Sequence, residues 1–183
     1  MRSEATDLTA IPAPSAADLR DAAAFAAVLG ALSRPGTIHD LPEAGEGAVI
    51  AALLDRECRA HVAPDLADAV ARTGAALVPL ERCDHAFLAA PDGADWVVRV
   101  PVGSQLHPEG GATVILRAGL GQGASLRLTG PGIDGATEVA VAAPGTLWAS
   151  RAEAIHYPLG FDMLLIHGTR LMGIPRSTTV EVL

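Results

Sequence analysis

The run Met163-Leu164-Leu165-Ile166 is apolar at four successive positions, without the polar alternation of a half-exposed strand. As a strand it is buried on both faces, as in a sheet sandwiched between helices, so the chain should fold in three layers. Working outward, strand signals cluster in the second half, at 76–80, 86–89, 96–100, 113–118, 125–129 and 170–174 besides 163–167. Helical signals concentrate in the first half. That segregation predicts an α/β three-layer sandwich with a mixed sheet in place of a regular strand–helix alternation.

The helical half opens after the Pro12-Ala13-Pro14 stretch, where Ser15 and Asp18 have the spacing of a capping box. Phe25, Val28, Leu29 and Leu32 then recur at i, i+3, i+4 and i+7, which predicts a first helix buried along that stripe and stopped by Pro35-Gly36. A second helix is expected over 48–55, where Val49/Leu53 and Ile50/Leu54 are apolar pairs four apart, followed by a short strand at 59–62. A third should start at Pro64, with Asp65 and Asp68 favourable at its positive end, and stop at Gly74. Gly119 to Gly123 and Gly130 to Gly135 read as turns between strands. With 183 residues, half of them apolar, one domain over 1–183 is expected, residues 1–14 forming an extended N-terminal segment.

Composition narrows the function. Thirteen basic against 21 acidic residues give a formal charge of −8, which opposes binding to nucleic acid or to an anionic membrane. All the basic residues are arginine. Without lysine the chain can form no Schiff base with pyridoxal phosphate and no P-loop, whereas arginine suits bidentate contacts to phosphate or phosphonate oxygens. The two cysteines, Cys58 and Cys83, fit a reducing compartment. The N-terminus has no apolar leader pattern and the longest apolar stretch, 22–32, is too short for a bilayer, so a cytoplasmic location is expected. The six histidines show no metal-ligand spacing, and 128–133 lacks the glycine pattern of a nucleotide loop.

Four charged residues are candidate ligand-binding groups. Arg34, in Ser33-Arg34-Pro35-Gly36, lies where a helix end meets a tight turn, either as an anion contact or as a favourable charge at the helix's negative end. Glu109, in His107-Pro108-Glu109-Gly110, precedes a strand as an acid, a base or a solvated turn residue. Asp162 and Arg176 flank the last strand pair, where they either bind each other or line a cleft. No catalytic residue is assigned.

In order, Ser33-Arg34-Pro35-Gly36, Leu53-Leu54-Asp55-x-Glu57, Pro108-Glu109-x-Gly111-Ala112-Thr113, Leu126-x-Leu128-Thr129-Gly130-x-Gly132-Ile133, Pro158-Leu159-Gly160-x-Asp162 and Ile174-Pro175-Arg176-Ser177-Thr178 resemble the PhnH family of phosphonate metabolism. The resemblance spans the chain from about Phe25 onward. It departs at Cys58-Arg59, where the family often has Thr-Pro after the glutamate, and at Arg72, where a histidine is common. The resemblance implies a fold similar to the large domain of pyridoxal-phosphate-dependent transferases without the cofactor, assembled as a homodimer. It implies partnership with the G, I and J subunits of the carbon–phosphorus lyase core complex. With the L subunit, that machinery forms ribose 1-methylphosphonate 5-triphosphate from ATP and methylphosphonate. On this reading the chain is a component of that synthase without independent activity, with Arg34 and Arg176 holding a nucleotide or phosphonate group. The alternatives are a stand-alone enzyme acting on phosphate esters, with Glu109 or Asp162 as base, and a purely structural dimeric scaffold.

Overall fold

The computed structural model describes residues 13–183, so the expected extended segment over 1–14 lies almost wholly outside the described residues. The first helix, α1, runs Ala16–Ser33 and opens with the expected capping box, Ser15 accepting from the Asp18 backbone and Asp18 from that of Ser15. The strand β1 (Ile38–Asp40), the helix α2 (Gly47–Leu53) and the strand β2 (Arg59–Val62) follow. The expected third helix is a tight turn at Pro64–Leu66 leading into α3 (Ala67–Thr73), which Gly74 ends in the left-handed region.

Then come β3 (Ala76–Leu77), β4 (His85–Phe87), β5 (Thr113–Arg117), β6 (Gly119–Thr129), β7 (Thr137–Ala142), α4 (Leu147–Ala154), β8 (Asp162–His167), β9 (Arg170–Ile174) and β10 (Thr179–Val182). Seven strands form one mixed sheet in the order β1-β9-β8-β5-β4-β2-β3. Neighbours from β3 to β8 run parallel, while β9 and β1 are antiparallel. A second, antiparallel sheet has the order β10-β6-β7. Parallel neighbours need a crossover; between β5 and β8 it is made by β6, β7 and α4 together.

Met163, Leu164, Leu165 and Ile166 are all buried, as their sequence requires. Because successive side chains alternate across a strand, Leu164 and Ile166 join Ile115, Phe87 and the buried residues of α1, α2 and α3 in one core. Met163 and Leu165 join Val114, Leu116, Leu128, Val141 and Trp148 in the other. Helices α1, α2 and α3 thus cover one face. The other carries a single helix, α4, beside the β10-β6-β7 sheet, so most of the expected second helical layer is a sheet: the half-polar alternation of β6 and β7 marks them as an antiparallel layer with one wet face.

Other expectations also shift. Helix α1 buries Ala24, Ala27, Val28 and Ala31 and leaves Phe25 and Leu29 exposed, so its inner face is turned by about one residue step, roughly 100°. The reason is close approach. A methyl group at Gly173 of β9 would overlap the Ala31 backbone carbonyl, so the small residues must face the sheet there. Residues 96–100 are no strand; Trp96, Val97 and Val100 are buried at helix-like spacing in a turn whose Val98 points outward. Their β-branched composition suggests a strand that their period contradicts. The strand expected at 76–80 is only two residues long, and Gly119 to Gly123 lie inside β6, where its pairing with β7 shifts register between Leu120 and Ala124.

Each of Leu164→Ala and Leu165→Ala should lower stability by about 2–5 kcal/mol, since each side chain is buried in one of the two cores. Denaturant unfolding of the two variants measures this; loss from only one would show that one face of β8 is not packed.

Candidate functional site

The antiparallel register of β8 and β9 sets Met163 opposite Ile174, so Asp162 and the segment after Ile174 emerge at the same end of the sheet. There Asp162 accepts from the backbone N–H of Arg176 at 2.8 Å, from its Nε at 3.2 Å and from its Nη2 at 2.7 Å. The rest of the guanidinium turns to the loop before β5, Nη1 donating to the Pro108 carbonyl at 2.8 Å and Nη2 to that of Gly111 at 3.2 Å. Of the two readings open for this pair, the geometry gives the mutual ion pair, and Arg176 also lines a cleft. Its side chains are only 15% and 23% exposed, for Arg176 and Asp162. Gly111 belongs to this arrangement, since a methyl group there would overlap both the Gly160 carbonyl and the Arg176 guanidinium.

The other two candidates stand elsewhere. Glu109 is exposed and accepts from His107 Nδ1 at 3.0 Å. A backbone hydrogen bond and, second to it, that contact hold its carboxyl below the usual range. Arg34 is the exposed cap of α1, its carbonyl accepting from Thr37. The preceding Ser33 carbonyl is so close to Gly132 that a side chain there would not fit. The four residues therefore do not form one constellation: Asp162 and Arg176 join, Glu109 follows Pro108, whose carbonyl Arg176 holds, but turns to solvent, and Arg34 sits on the turn whose neighbours Ser33 and Pro35 lie against Gly132.

A neighbouring residue is more unusual. Arg151, on α4, is 3% exposed and donates through Nη1 to the Thr178 carbonyl at 3.1 Å and through Nη2 to that of Pro175 at 2.8 Å. Among the described residues it has no ion-pair partner; the nearby Asp162 is engaged by Arg176. Burial pushes its pKa down to about 10, which still leaves it charged at neutral pH. It lines a cleft of about 300 Å³ between α4 and the segment after β9, with Trp148, Tyr157, Arg176 and Thr178. Sequence reading missed it because α4 was not foreseen. A signal was there: Leu147, Trp148 and Arg151 fall on one helical face, with a charge in an apolar position.

A family model described as bacterial phosphonate metabolism protein (PhnH) matches residues 15–181. The chain belongs to the PhnH family. It is also 34% identical to HtxG of Stutzerimonas stutzeri, a protein assigned as a C-P lyase subunit, over 193 aligned positions covering 97% of this chain and 96% of that protein. A place in phosphonate metabolism follows. In this PhnH-family chain, the Pro108-to-Thr113 and Ile174-to-Thr178 motifs meet through Arg176.

Neither thiol is activated as a nucleophile. Cys83 is buried, which pushes its thiol up to about 11, and burial also raises Cys58. Among the described residues, no group of three or more His, Cys, Asp and Glu side chains is placed to hold a metal, and no helix is long and apolar enough to cross a membrane.

Asp162→Ala should cost about 3 kcal/mol, since it leaves a largely buried guanidinium uncompensated. Glu109→Gln should change stability by less than about 0.5 kcal/mol, its pair being solvent-exposed. Chemical unfolding of both variants checks the contrast, and equal effects would contradict the ion-pair assignment.

Proposed function

We propose that this chain is a subunit of the carbon–phosphorus lyase system that assists formation of ribose 1-methylphosphonate 5-triphosphate from ATP and methylphosphonate without turning over either alone. The observation that carries this reading is the family match over residues 15–181, supported by likeness to a protein assigned as a C-P lyase subunit. The described side chains favour a supporting role. Asp162, the more sheltered candidate base, is committed to Arg176, and Glu109 has only an exposed histidine beside it. A stand-alone phosphate-ester enzyme would need an available base in a closed site, so that reading is the weaker one.

We further propose that the chain works in the cytoplasm as a homodimer, without pyridoxal phosphate, beside the G, I and J subunits, and that its fold is kin to the large domain of the transferases that use that cofactor. Helix α1 supports a covered surface. Its inner face is the alanine stripe, while Leu19, Phe25 and Leu29 remain 58%, 45% and 52% exposed on the outside. Large apolar side chains gathered on the outside of a helix mark a surface suited to a partner. The proposed cover is a second copy of the chain.

Reconstitution tests the role. Adenine release from ATP and methylphosphonate should require this chain together with its G, I, J and L partners, and the isolated chain should release none; release by the isolated chain would overturn the proposal. For the assembly, Leu29→Glu should convert the dimer into a monomer of unchanged circular dichroism. A native mass unaffected by that substitution would remove α1 from the interface.

A further inference from the structure

The cleft beside Arg151 has a charge that no ion pair among the described residues neutralises. Three arguments define what would complement it, and none depends on the assembly role proposed above. The first is electrostatic. A buried charge is costly unless paired, and among the described residues the carboxylate that acts on Arg151 is that of Asp162, already engaged with Arg176. Two guanidinium groups and one carboxylate leave a net charge of one positive unit at the cleft. Water could satisfy the spare hydrogen bonds but would not supply the missing charge.

The second is the hydrogen-bond inventory. Arg151 spends Nη bonds on two carbonyls, while its Nε, the Trp148 indole nitrogen and the Thr178 hydroxyl are buried without partners. All three side chains line the same cleft, and Ser177 and Thr179 add further hydroxyls to its wall. Arginine and indole nitrogens only donate, and a hydroxyl can donate too, so the complement is an acceptor with several oxygens.

The third is size. At about 300 Å³ the cleft lies at the lower end of ligand pockets. That volume accommodates one oxyanion group with its substituent. We propose that the cleft between α4 and the segment after β9 is a binding site for a small tetrahedral oxyanion, phosphate or a simple phosphonate, with Arg151 as its charge partner.

The test is calorimetric titration of the purified full chain with inorganic phosphate, methylphosphonate and acetate, with chloride holding ionic strength constant. Saturable binding of phosphate or methylphosphonate, tighter than acetate, is expected, and the tighter of the two names the source of the oxyanion. Arg151→Gln should abolish binding, but it also removes bonds to Pro175 and Thr178 and endangers the fold. The decisive variant is therefore Ala152→Glu, an exposed position on the cleft wall, which should keep the native circular dichroism and weaken binding by about tenfold or more through like-charge repulsion. No saturable binding of either tetrahedral ion, acetate binding as tightly, or undiminished binding by folded Ala152→Glu would each overturn the site.

Discussion

One ion pair organises the end of the molecule where its shared motifs gather. Asp162 opens β8, Arg176 follows β9, and the guanidinium that pairs with the carboxylate also holds the carbonyls of Pro108 and Gly111. A single side chain thus ties together three segments distant in sequence. Removing both charges from water carries a penalty, which is offset because the carboxylate accepts backbone and side-chain N–H bonds and the guanidinium has acceptors on both sides. The pair stands where it does because β8 is buried on both faces. That burial fixes the register of β8 against β9, and the register brings residue 162 level with the end of β9.

The clamp reaches the neighbouring cleft through the backbone. Pro175 and Thr178, on either side of Arg176 and Ser177, present the carbonyls to which Arg151 donates. Two arginines a short distance apart are therefore in different electrical states. Arg176 is neutralised and serves the frame, whereas Arg151 is held by neutral carbonyls and keeps its charge for something else. Family membership places the chain in phosphonate metabolism, and a compact cleft lined by Arg151 and Arg176 is consistent with chemistry that handles phosphorus oxyanions.

What the sequence disclosed follows the strength of each local signal. The β8 run, the Ser15–Asp18 cap and the Gly74 stop were legible because each rests on a nearly unambiguous pattern. The inner face of α1 was not, because hydrophobicity alone prefers Phe25 and Leu29, whereas the closeness of Ala31 to Gly173 favours alanine. The three-residue β1 and the four-residue β10 were too short to carry a period, and β7 and α4 were missed because alanine-rich, half-exposed stretches give weak contrast. Among the candidate residues, Asp162 and Arg176 could be placed at one end of the sheet because both sit at ends of recognisable strands. Their mutual pairing needed the register, and Arg151 needed the helix on which it lies.

The most direct measurement of the clamp's organising role is amide hydrogen exchange on the native chain and on Asp162→Ala. If the pair is what orders this end, the variant should lose protection through 108–111 and 176–179 while the central amides of β5 and β8 still exchange only by global unfolding. Unchanged protection in both loops would contradict the account, because the segments would then be held by something other than Arg176.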